Sequence, residues 1–98
     1  DGVTSRSMFG GYGLYQHGVI FGMIVDGVLY FKVGEGNKAA YVEHKSKPFT
    51  YVHGNKKPVS MSYWEVPEEI MENNDELVRW VDAAVAEANE KHKRKHKK

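Results

Sequence analysis

The chain has 98 residues, 41% of them hydrophobic and 28% charged, with a formal net charge of +1 and no cysteine. That length holds one domain, which buries roughly 60–70% of the surface its unfolded chain exposes, so it can build one core but not a second catalytic domain. The lack of thiols excludes disulfide frameworks, thiolate nucleophiles, zinc ribbons and iron–sulfur sites, and no apolar run approaches the roughly 18 residues of a membrane-spanning helix.

Ser5–Gln16 is rich in glycine and aromatics and ends at the turn pair His17-Gly18, so it reads as a strand. Val19–Val25 and Val28–Val33 are apolar and β-branched, and they flank Asp26-Gly27, a strong two-residue hairpin signal. That turn sets Val25 opposite Val28. Pleat alternation then puts Ile20, Ile24, Leu29, Phe31 and Val33 on a core face, and Phe21, Met23, Val28, Tyr30 and Lys32 on a mixed face. Asn37–His44 reads as a short helix with Asn37 as N-cap. Phe49–His53 and Pro58–Trp64 form a second hairpin around Gly54-Asn55-Lys56.

Pro67-Glu68-Glu69 opens a helical turn, with proline at its start and acids at the positive end of the dipole. Asn73 and Glu76 have capping-box spacing. Beyond them Leu77, Trp80, Val81, Ala84, Val85 and Ala88 recur as one apolar stripe, which predicts a helix lying across the sheet. The expected fold class is α+β in two layers, an antiparallel sheet of about five strands packed against helices. The domain is expected over residues 1–90. Residues 91–98, KHKRKHKK, form a basic tail, disordered or a helix extension, while the preceding 90 residues carry a net charge of −5. The chain opens at Asp1 with no basic-then-apolar leader, as a trimmed product of a longer chain would.

The glycines of Met8-Phe9-Gly10-Gly11-Tyr12-Gly13 lie between strands, and no Gly-Lys-Ser/Thr follows them, so a bent strand explains them better than a phosphate loop. Arg6, Phe9, Tyr12 and Tyr15 suggest base stacking, but their period of three cannot share one strand face and the element order differs from an RNA-recognition domain. His92 and His96 have helical ligand spacing, yet lysines that repel a cation flank both. Ser60, Ser62 and His53 could meet across the second hairpin without a nucleophile elbow. No catalytic residue, metal ligand or cofactor site is therefore assigned, and the chain is expected not to be an enzyme.

Arg6-Ser7-Met8-Phe9-Gly10-Gly11-Tyr12-Gly13-Leu14-Tyr15 resembles the N-terminal domain of the TfoX/Sxy family of competence regulators. The likeness continues through Val19–Gly22, Asp26–Lys32 and Pro48–Tyr51, and closes at Met61-Ser62-Tyr63-Trp64-Glu65-Val66-Pro67-Glu68-Glu69. It implies a bacterial cytoplasmic protein with a fold similar to type III secretion chaperones. It also implies a role beside transcription machinery or the cyclic-AMP receptor protein in expression of DNA-uptake genes. The family's opening helix and C-terminal helical domain have no counterpart in these residues, and the resemblance carries no catalytic residue.

The leading expectation is a non-enzymatic regulatory adaptor that contacts protein through Arg6, Phe9, Phe21, Met23, Tyr30 and Lys32. The alternatives are a nucleic-acid-binding module that uses Lys91, Lys93, Arg94, Lys95, Lys97 and Lys98 on phosphates, and a homodimeric structural module.

Overall fold

The computed structural model describes residues 3–8, 11–51 and 59–96, with side chains described for 3–7, 11–50 and 62–90. Strands β1 (Val3–Met8), β2 (Gly11–Gln16), β3 (Val19–Val25) and β4 (Val28–Lys32) precede helix α1 (Lys38–Glu43). Strands β5 (Pro48–Tyr51) and β6 (Val59–Glu65) and helices α2 (Glu68–Met71) and α3 (Asn74–His96) complete the order. The sheet is antiparallel and open, with strand order β1-β2-β3-β4-β6-β5. It is the α+β architecture expected from the sequence, with six strands instead of about five, because the glycine-rich opening segment folds as two.

Both early turns follow from their residues. Asp26 and Gly27 take φ of 53° and 77°, and His17 and Gly18 take 52° and 83°. Two consecutive positive φ values match the right-handed twist of the flanking strands. Val25 pairs with Val28 as the sequence predicts. Gly11 lies under the Ile24 carbonyl oxygen, which a Cβ would approach to 1.9 Å, so β2 can pair closely with β3 only with glycine there.

One core joins all the helices to one side of the sheet. Tyr41 of α1, Ile70 of α2 and Trp80, Ala84 and Ala88 of α3 cluster with Phe21, Phe31, Val33 and Val66. Leu77, Val81 and Val85 pack against this cluster, so the predicted apolar stripe is the stripe that docks. The Asn73 side chain accepts from the Glu76 N–H at 3.1 Å, capping α3. The Glu76 carboxylate bonds Arg79 instead of completing a reciprocal box. Asn37 stands at the N-cap of α1 but does not cap it. Its amide accepts from the Gly34 N–H and donates to the Lys32 carbonyl, tying the β4–α1 corner together.

The predicted face assignment needs one correction. Between β2 and β3, Leu14 pairs with Gly22 but Tyr15 pairs with Ile20, so Phe21 is an extra residue in β3. Such a bulge reverses the alternation on one side of it. Phe21 turns into the core, 2% exposed, with its ring centroid 6.1 Å from that of Phe31. Ile20, predicted for the core, shares the opposite face with Tyr15. The predicted turn at 54–56 and His53 lie outside the described residues.

Candidate functional site

The face turned away from the helices has its own composition. Residues paired in register share a face. Arg6 pairs with Gly13, Gly13 with Met23, Met23 with Tyr30 and Tyr30 with Glu65, a single row across five strands. A second row runs Thr4–Tyr15–Ile20, and a third joins Lys32 to Tyr63. Among the described residues no helix covers this face.

Its side chains cover one another. The Arg6 guanidinium lies 5.6 Å from the Tyr15 ring centroid, and the Lys32 ammonium lies 5.2 Å from that of Tyr63, both within cation–π range. Tyr30 meets Phe49 edge-on at 5.1 Å. Lys32 is 7% exposed and donates to the Ser62 hydroxyl. Burial pushes the Tyr63 phenol above its ordinary value, with the nearby Tyr15 adding to the shift. Burial also raises Tyr30, helped by the negative charges of Glu65 and Asp26. Both phenols are therefore neutral hydrogen-bonding groups at physiological pH, each on an aromatic body.

The structure thus sorts the six residues expected to contact protein. Arg6, Met23, Tyr30 and Lys32 share this face. Phe21 does not, for the bulge buries it, and Phe9 lies outside the described residues. Met23, 6% exposed, and Lys32 form the floor of the face, leaving Arg6 and Tyr30 as its reachable members. Tyr15, Phe49, Ser62 and Tyr63 join the face without having been assigned to it. Phe49 and Tyr63 come from β5 and β6, and no local pattern states that β6 pairs with β4 and β5 with β6.

A second feature lies where α1 meets α2. A cleft of about 250 Å³ is lined by His44, Lys45, Ser46, Lys47, Glu65, Pro67 and Glu69. His44 Nδ1 lies 2.7 Å from a Glu69 carboxylate oxygen, and the His44 ring packs edge-on against Trp80 at 5.4 Å. The Glu69 carboxyl is held below its ordinary value by its own backbone N–H and then by His44. Ser46 donates its hydroxyl to the Glu65 carbonyl. These contacts latch α1 to α2 and commit the serine to the backbone.

For hydrolytic chemistry, Ser62 meets Lys32, a pairing that can activate a serine. Lys32 as a whole is only 7% exposed. The Ser60 side chain and His53 lie outside the described residues. Among the described residues no three histidine, aspartate or glutamate side chains converge as a metal site, and no helix is long and apolar enough to cross a membrane.

The basic segment continues α3, whose backbone is helical through His96. Lys91, Lys93, Arg94 and Lys95 are therefore helical residues whose side chains are outside the description, as Lys97 and Lys98 are entirely.

Two comparisons bear on this architecture. The sequence profile of the TfoX N-terminal domain matches residues 1–88. Protein Sxy of Escherichia coli (strain K12) is 32% identical over 100 aligned residues, which cover 98% of this chain and 47% of Sxy. The chain spans about half the length of that relative.

Proposed function

The chain belongs to the TfoX N-terminal domain family, and on that premise we propose that it is a non-enzymatic regulatory domain. In this reading it is a cytoplasmic adaptor that holds another protein during transcriptional control of competence genes. The family match along residues 1–88 carries the reading. The helix-free sheet face supplies a surface suited to it. Tyr30 and Tyr15 offer half-buried rings with polar tips, and Arg6 offers a planar cation beside them, the residue types that dominate protein interfaces. Transcription machinery or the cyclic-AMP receptor protein is the partner the resemblance points to.

Affinity capture from a host lysate tests this. The full chain should recover a transcription component, and an Arg6→Ala/Tyr30→Ala chain with unchanged circular dichroism should recover much less. Capture by neither chain, or equally by both, contradicts the adaptor reading or its assigned face respectively.

One observation favours a second reading. Helix α3 runs beyond Ala88, the last buried residue of its described stripe, into the basic segment. Six cations there would contact phosphates with strongly salt-dependent affinity. Fluorescence anisotropy with labelled duplex DNA at two salt concentrations compares the whole chain with residues 1–90. Binding that needs the tail and falls steeply with salt supports an electrostatic tether; binding by residues 1–90 assigns DNA contact to the body instead.

A further inference from the structure

The two edges of the sheet are built differently. Strand β5 begins with Pro48, follows Lys45 and Lys47, and pairs with β6 through an irregular register. Proline, lysine and local irregularity are devices that blunt an edge against further pairing. Strand β1 has none of these three, and Arg6 is its one charged side chain. Its sequence is Val-Thr-Ser-Arg-Ser-Met, and it pairs with β2 residue for residue from Val3–Gln16 to Met8–Gly11 with no bulge. Val3, Thr4, Ser5, Arg6 and Ser7 are all exposed, Val3 by 49%. Successive residues point to opposite faces, so both faces of this strand meet solvent. Its outer backbone groups present an unbroken template for another strand.

We propose that β1 is a self-association edge on which the β1 strand of a second copy adds antiparallel, making one continuous sheet across a two-fold axis. An axis normal to the sheet keeps both helix layers on the same side, so residues placed opposite each other must share parity. Two central registers satisfy this. One centred on Arg6 sets two guanidiniums directly opposite, which is unfavourable. One centred on Ser5 sets Ser5 against its own copy, Thr4 against the partner's Arg6 and Val3 against the partner's Ser7. No like charges then oppose, and a hydroxyl acceptor faces each guanidinium. The strand is therefore compatible with its own copy in the Ser5 register and not in the Arg6 register. Six residues of strand, about 20 Å long, bury less than the roughly 1,200 Å² at which stable interfaces begin, so the association is weak and concentration-dependent.

Sedimentation equilibrium on the full chain tests the proposal, using the exposed Ser5 as the probe. The wild-type chain should rise from its 11.2 kDa mass toward twice that value as its concentration approaches about 1 mM. Ser5→Lys places like charges at the axis and should weaken association about tenfold or more. An equimolar mixture of Ser5→Lys and Ser5→Glu should restore it as a heterodimer. Circular dichroism confirms that each variant folds. A wild-type chain that remains monomeric, a Ser5→Lys chain that associates as tightly as wild type, or a mixture that stays dissociated would overturn the proposal.

Discussion

The two faces of the sheet use aromatic residues for opposite purposes. On the helix-covered face Phe21, Phe31, Tyr41 and Trp80 interlock with the alanines of α3, and polar groups are scarce. On the helix-free face Tyr30 meets Phe49 and pairs in register with Met23, while Tyr15 and Tyr63 each lie beside a cation. Phe31 and Tyr30 are chain neighbours on opposite faces, so they measure the difference directly. The first face obtains its stability by excluding water; the second keeps a neutral, aromatic, hydrogen-bonding surface at the solvent boundary.

The largest expected effect breaks the covered face. Phe31→Ala should cost about 3–5 kcal/mol of unfolding free energy, while Tyr30→Ala should cost about 1–2 kcal/mol. Urea denaturation of the pair measures the contrast, and equal losses would erase it.

Next, Gly11→Ala should cost about 1–3 kcal/mol, because its Cβ would meet the Ile24 carbonyl oxygen and push β2 from β3. Faster amide exchange in β1 and β2 than in α3 would locate the damage.

A smaller effect of opposite sign comes from Tyr41. It is 1% exposed, burial raises its phenol well above the ordinary value, and its hydroxyl has no hydrogen-bond partner among the described residues. Tyr41→Phe removes that stranded group and should leave stability unchanged or raise it by about 1 kcal/mol. A higher urea midpoint with an unchanged slope is the expected reading.

The smallest effect is at the α1–α2 latch. The Glu69 carboxyl titrates below its ordinary value when folded. Its contribution to stability is therefore present above the unfolded carboxylate value of about 4.3 and disappears as pH falls through the lower folded value. His44→Ala should move the Glu69 titration, followed by carbon NMR, part of the way back up. The backbone N–H, the larger cause, remains in place.

Local chemistry made much of this fold legible. Asp26-Gly27 and His17-Gly18 specify their turns through backbone dihedrals, Asn73 caps α3, and the spacing from Leu77 to Ala88 marks the docking stripe. What could not be read was set by partners distant in sequence. The bulge that buries Phe21 exists only where Leu14 and Tyr15 meet β3. Asn37 makes no cap, and its amide is engaged instead by the Lys32 carbonyl and the Gly34 N–H. Lys32 suggested a wet face on its own, yet Ser62 and Tyr63, thirty residues later, close around it. The candidate face was legible in Arg6, Met23, Tyr30 and Lys32, and incomplete without β5 and β6.

The central claim is that the helix-free face is the contact surface. Its most direct test is side-chain NMR of the full chain during titration with purified cyclic-AMP receptor protein. The account predicts that the ring signals of Tyr15, Tyr30 and Tyr63 and the Met23 methyl shift or broaden together, while those of Phe31 and Trp80 stay fixed. Perturbation confined to the outer surface of α3 or to residues 91–98, with the tyrosine rings unmoved, would contradict it.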